Sequence, residues 1–156
     1  MNFTRFIAQG EGRRLWKSDS DHPLASLELR NAYLQILREA AITGVKTSTQ
    51  LPLITLLHPG LGRNGRFGEG VVIDYQGYLL ASSRSQIRLG HVLTQGLERI
   101  FLHHPLLQKV RKNQIEICGT CSHRRRCGGD RNAAYAESGN YLGHDPGCWK
   151  GLIDTN

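Results

Sequence analysis

A chain of 156 residues with 39% hydrophobic content and a mean hydropathy of −0.38 has room for one modest domain, an appendage and a limited core. No apolar run approaches the roughly 20 residues that cross a bilayer, which excludes a membrane-spanning helix. The net charge of +7 and a pI near 9.6 invite partners that carry phosphate or carboxylate.

Residues 2 to 8 read as a short strand that ends at Gly10 and Gly12, and Gly10-Glu11-Gly12 reads as a simple turn rather than a phosphate loop. Asp19, Ser20 or Asp21 is expected to cap a helix that runs to about residue 43, with Pro23 tolerated in its first turn. Leu29, Tyr33, Ile36, Leu37 and Ala40 recur at helical spacing and give that helix one apolar face; Gly44 stops it. Leu51 to Leu57 is expected to be extended, and the run from His58 to Arg66 is a loop rich in breakers. Val71-Val72-Ile73 and Tyr78-Leu79-Leu80 flank Gln76-Gly77, which predicts a hairpin. From Thr94 to about His103 the pattern is helical, and Pro105 begins a second helical segment. There are no internal repeats and no low-complexity tracts.

All four cysteines lie at or beyond position 118, as Cys118-x2-Cys121-x5-Cys127 followed by Cys148. Two thiolates two residues apart can grip one metal centre from a single tight turn, and the other two close a four-sulfur cage. The spacing leaves three states open. A zinc ribbon pairs two C-x2-C knuckles, and the second knuckle is missing here. A disulfide suits the even count. However, Met1-Asn-Phe-Thr-Arg-Phe-Ile-Ala-Gln9 does not read as an export signal, so a reducing cytoplasmic compartment is expected, where disulfides are rare. An iron–sulfur cluster suits the surroundings: Gly128 and Gly129 let backbone N–H groups approach sulfur, and Arg124, Arg125 and Arg126 offset the charge of four thiolates.

Plainer readings apply nearby. His123 is expected to be solvated or structural rather than a ligand, and His103-His104 to lie on the surface. Asp130 and Arg131 read as a local ion pair, Asp145-Pro146 as the turn that returns Cys148 to the other thiolates, and Trp149 as a shield against water. The arginines of His123–Arg126 and of the stretch Gly12 to Lys17 allow a rival function, a four-cysteine zinc module that binds nucleic acid. At 7% aromatic content, with no aromatic residue inside the arginine run to stack on bases, nucleic acid is the weaker expectation.

From about Val45 to Trp149 the chain resembles the C-terminal SPASM region of radical SAM enzymes, in particular the subgroup that includes enzymes modifying haem precursors. Val45-Lys-Thr-Ser-Thr-Gln-Leu-Pro52 is similar to the family's segment leaving the barrel, and Gly68–Gly77 to its β-hairpin. Leu89-Gly-His-Val-Leu93 resembles the strand-to-helix turn that follows, and Leu97–Phe101 with Pro105–Arg111 resembles the helix leading into the cysteine loop. Cys118 to Ala136 and Asp145-Pro-Gly-Cys148 complete the likeness.

The resemblance implies one auxiliary 4Fe–4S cluster on Cys118, Cys121, Cys127 and Cys148. It implies no second cluster, because Ser82 and Arg131 stand where two-cluster relatives carry cysteine, as in the haem-precursor subgroup. The family's C-x3-C-x2-C loop for S-adenosylmethionine is absent, since no cysteine precedes Cys118. The implied fold is α+β: residues 1–60 as a strand–helix remnant of a partial (β/α) barrel, and 61–156 as a SPASM-like module of hairpin, helix and cysteine-rich loop. The first 45 to 60 residues are then expected to expose apolar surface that a barrel would cover. By the same resemblance the chain is the C-terminal part, or a separate subunit, of a radical SAM enzyme acting on a tetrapyrrole or a peptide. Its partners would be a barrel subunit or an electron donor, and the chain alone is expected to be inactive.

Overall fold

Leu29, Tyr33 and Leu37 stand four residues apart, so a helix through them turns one stripe inward. The computed structural model, which describes residues 1–13, 24, 26–65 and 71–153, shows that helix as α1, Ser26–Thr43. It ends as expected at Gly44, whose φ of +67° is a left-handed conformation that a side chain resists. The expected caps at Asp19, Ser20 and Asp21 lie outside the described residues.

Two expectations fail in the first part of the chain. Residues 2–8 form no strand: a single parallel bridge joins Asn2 to Ser48, held by Phe3 N–H to Ser48 O at 3.3 Å and Ser48 N–H to Met1 O at 2.9 Å. Beyond it the segment's contacts are made by side chains, with Arg5 reaching Asp145 and Gln9 reaching Asn132. Leu51–Leu57 is not extended either. Pro52, with φ −64° and ψ −42°, starts a 3₁₀ turn over Leu53–Leu56, and the Thr55 hydroxyl donates to Pro52 O at 2.6 Å. Gly10 turns the chain as expected, at φ +56°, but residues 11–13 are helical rather than part of a simple turn, with Gly12 N–H donating to Gln9 O at 3.1 Å.

The hairpin forms where the turn chemistry puts it. Asp74 Oδ1 accepts the N–H groups of Gln76 (2.9 Å) and Tyr78 (3.0 Å), and Gly77 takes φ +85°. Strand β1 (Val72–Ile73) pairs with β2 (Tyr78–Leu80), placing Val72 opposite Leu80. Strand β3 (Arg88–His91) joins the other side of β2, giving an antiparallel sheet in the order β1-β2-β3 with an irregularity between Leu79 and Leu80.

Helix α2 (Val92–Gln95) follows β3 directly, and Gly96 at φ +78° separates it from α3 (Leu97–His103), so the expected helix is two. Pro105 begins α4 (Pro105–Arg111), where His104 Nδ1 accepts the Leu106 N–H at 3.2 Å. Helix α5 (Arg131–Ser138) is capped by Asp130 and closed by Gly139 at φ +71°; a short α6 (Lys150–Ile153) ends the described chain. Helices around one small antiparallel sheet make the fold α+β.

Two hydrophobic clusters result. Leu79, Leu89, Ile100, Leu107 and Val110 bind the sheet to α3 and α4, and Cys118 belongs to this cluster. Leu29 and Tyr33 of α1 pack with Leu53, Ile54 and Trp149 in the other, which contains Cys127. The second cluster draws residues from both sides of position 60. Truncating Leu53 or Leu107, each 1% exposed or less, would cost about 2–5 kcal/mol. Met1, Phe6, Leu24, Leu27, Ile42 and Val45 are exposed, as expected of the first part, but Tyr75, Leu93 and Ile117 are exposed too, so apolar exposure does not single that part out. Among the described residues, no helix is long and apolar enough to cross a membrane.

Candidate metal centre

The cysteine loop is a series of tight turns. Ile117, a β-branched residue at φ +48°, directs its carbonyl to the N–H groups of Thr120 (3.3 Å) and Cys121 (3.0 Å), which folds the C-x2-C pair into one turn. Cys127 N–H donates to His123 O at 2.9 Å, and Gly128 and Gly129 then take φ +68° and +69°. The loop before β1 clamps this structure from outside. Asn64 Nδ2 donates to Arg124 O (2.9 Å) and Arg125 O (2.7 Å), and Gly65 N–H donates to Cys127 O at 2.7 Å. A Cβ on Gly65 would run into the Gly129 carbonyl, so this approach of two backbones requires glycine.

Cys148 arrives on the expected Asp145-Pro146 turn, with its N–H donating to Asp145 O at 3.0 Å. Asp145 does more than turn the chain. Its carboxylate is fully buried and accepts from Arg5 Nη1 (2.7 Å), Asp130 N–H (2.7 Å) and Gly147 N–H (2.9 Å). One side chain therefore ties the first segment, the start of α5 and the approach to Cys148 together.

All four thiols line one recess, partly open to solvent, with Leu53 and Leu56 of the 3₁₀ turn as apolar wall. None is in a disulfide. Each sulfur accepts an N–H: Cys121 from His123 (3.4 Å), Cys127 from Gly129 (3.4 Å), Cys148 from Lys150, and Cys118 from the Arg131 guanidinium (3.5 Å). Three of these are backbone donors two residues after the cysteine. Among the described residues, no three His, Cys, Asp or Glu side chains are disposed to hold a metal ion. Four sulfurs on one zinc would stand roughly 3.8 Å apart, given Zn–S bonds of about 2.3 Å in a tetrahedron. The sulfurs here face a common space without meeting at one point.

Electrostatics follow from burial. Burial pushes the Cys127 thiol up to about 12, against the pull of the Gly129 N–H, and it raises Cys148 against the pull of the Lys150 N–H. Both thiols therefore hold their protons at neutral pH. Arg131 is 1% exposed and donates to the carbonyls of Gly129 (3.4 Å), Tyr141 (3.4 Å) and Gly143 as well as to Cys118. The expected ion pair between Asp130 and Arg131 is therefore not made. Asp130 is occupied in capping Asn132 (3.0 Å) and Ala133 (3.4 Å) and in pairing with Arg84 at 3.4 Å, while Arg131 points the other way, toward sulfur.

The remaining expected residues fall as follows. Ser82 Oγ donates to Asn132 Oδ1 at 2.7 Å, which sets the end of the hairpin beside the start of α5. His123 lines the recess with its Nδ1 against Arg126 Nη2 at 2.9 Å, His103 is exposed and His104 caps α4. Trp149 does not line the recess; it turns into the core and meets Tyr33 edge-on at 6.0 Å. Of the Gly12–Lys17 stretch, residues 14–17 lie outside the described residues. Sequence reasoning missed the roles of Arg5, Arg131 and Asp145. Asp130 before Arg-Asn-Ala-Ala carried a readable cap signal for α5, whereas nothing local pointed to Arg5, 140 positions from its partner.

Comparison with protein-family models, with curated proteins and with solved structures finds no match.

Proposed function

We propose that this chain carries one 4Fe–4S cluster on Cys118, Cys121, Cys127 and Cys148. The observation that supports this reading is that all four thiols line one recess and every sulfur accepts an N–H, the arrangement that thiolate ligands need. The residues present fit such a group: four sulfur donors, an apolar wall, and a buried guanidinium against one sulfur. A four-thiolate cluster supplies one-electron chemistry when bound, with no iron left open for substrate. Cys118 and Cys127 anchor the inner side, Leu53 and Leu56 limit water, and Arg131 holds positive charge where the thiolates bring negative.

The SPASM-like assignment is part of the same proposal. Its support is the order of hairpin, strand-to-helix turn at His91–Val92, paired helices and cysteine loop, together with Ser82 lying beside the start of α5. In that reading the chain is the C-terminal part or a separate subunit of a cytoplasmic radical SAM enzyme acting on a tetrapyrrole or peptide. Residues 1–60 are then the barrel remnant, and the chain's role is to pass an electron or to shape the docking surface. In that reading the four cysteines are all taken up by the one cluster, so the chain alone is not expected to cleave S-adenosylmethionine.

Anaerobic purification followed by iron, sulfide and zinc assays tests the reading. About four irons and four sulfides per chain, with a visible absorption that is lost in Cys127→Ala, are expected. About one zinc and no colour would overturn it in favour of the zinc module that binds nucleic acid.

A further inference from the structure

The recess opens on the most basic turn of the loop. Cys118 and Cys127 are buried while Cys121 and Cys148 are half-buried, so the shallow pair marks the side from which the site is reached. Arg124 and Lys150 stand in the recess wall, and Arg125 and Arg126 follow directly, both exposed. Asn64 pins the backbone of that run with its two hydrogen bonds, so the arginines are presented on an ordered turn. Between Ile117 and Cys127 there is no acidic residue.

We infer that this arginine-bearing rim is the docking face for a small acidic protein that carries one electron; the inference rests on reading the recess as a cluster site. A carrier must come close to exchange an electron, and the half-exposed sulfurs and the positive charge share one side of the molecule. One electron leaves the carrier and enters the group held by the thiols; no proton and no covalent bond changes place. Opposite charge on the carrier steers the encounter, a gain of roughly 10- to 1,000-fold in association rate that falls with salt. A nucleic-acid backbone would meet the same charge. Yet no aromatic side chain interleaves the run to stack on bases, and nucleic acid has no use for access to sulfur.

The test mixes the anaerobically loaded chain with reduced flavodoxin, an acidic one-electron carrier, in a stopped-flow instrument at low and high salt. Arg125→Glu/Arg126→Glu, both outside the recess wall, is compared with wild type and with Arg38→Glu on the exposed side of α1. Reduction by the double variant is expected to slow by about tenfold or more, and the wild-type rate to fall with salt. Arg38→Glu should leave the rate unchanged, and photoreduced deazaflavin, a small-molecule donor, should reduce all three alike. A double variant reduced as fast as wild type overturns the inference. So does a rim whose charge reversal abolishes oligonucleotide binding while flavodoxin reduction is unmoved. The wild-type salt dependence needs no variant, so it stands as a test even if the double variant does not load. A chain that takes up zinc rather than iron and sulfide fails the earlier reading and this one together. A loaded chain that deazaflavin reduces, but whose flavodoxin rate ignores charge and salt, fails this inference alone.

Discussion

Replacing Asp145 with asparagine removes a charge that three donors share. Oδ1 takes Arg5 Nη1 and the Gly147 N–H, and Oδ2 takes the Asp130 N–H at 2.7 Å. An asparagine can keep the first two on its oxygen, but its NH2 group then faces the Asp130 N–H, donor against donor. That lost bond to a charged acceptor alone costs about 1.5–3 kcal/mol. Arg5, with its side chain only 10% exposed, keeps a hydrogen bond but loses its counter-charge. Burial pulls its guanidinium down, and the charge and hydrogen bond of Asp145 more than offset this. Breaking such a pair from one side brings the expected total to about 3–5 kcal/mol. For a single domain whose stability is on the order of 5–15 kcal/mol, that is a large share. In urea titrations of the metal-free chain the midpoint should fall while the slope is unchanged. Arg5→Met should be costly alone, and the double variant should cost less than the sum, with a coupling of about 1–3 kcal/mol. Asp145→Asn within about 1 kcal/mol of wild type, with additive effects in the double variant, would refute the reasoning.

Other consequences are equally open to measurement. Gly129→Ala places a Cβ 2.9 Å from Cys118 Sγ and against Arg131 at a backbone φ of +69°; a loss of about 1–3 kcal/mol and reduced iron uptake are expected in melting and loading assays. Tyr33→Phe should leave stability unchanged or raise it by up to about 1 kcal/mol, because the buried hydroxyl has no hydrogen-bond partner among the described residues and the ring contacts persist; a lower melting temperature would contradict this. The Cys127 thiol is raised in the folded chain from 9.0 to about 12, so the folded state holds the proton more tightly than the unfolded one. Its contribution is therefore fully present below about pH 9 and is lost as pH rises toward about 12, and Cys127→Ala should flatten that stretch of the stability profile of the metal-free chain.

The parts of this fold that local chemistry decides were legible in the sequence. Leu29, Tyr33 and Leu37 with Gly44 gave α1 its face and its end, and Gln76-Gly77 marked the hairpin's turn, although the part Asp74 plays in it emerged only from the fold. Cysteine spacing marked the four thiols that share the recess, and Gly128-Gly129 marked one of the N–H donors. What was illegible depends on contacts made across the chain. The run from Leu51 to Leu57 is rich in residues that suit strands, yet Pro52 starts a helical turn there and packing holds Leu53 and Ile54 in the core beside the recess. The first residues look like a strand, but their side chains are committed to Asp145 and Asn132, and the backbone pairs at one point only. Arg131 looked like a partner for its neighbour Asp130; only the folded loop shows Asp130 occupied at the cap and Arg131 turned to sulfur.

Cys118 belongs to the apolar cluster built on the sheet, and Cys127 to the one built on α1. The recess is thus a seam between two halves rather than a feature of either. Sliding one half against the other changes the spacing of the sulfurs, so the seam converts shear into a change of ligand geometry. Whatever grips all four sulfurs joins the two halves across that seam, so its grip depends on both clusters staying packed.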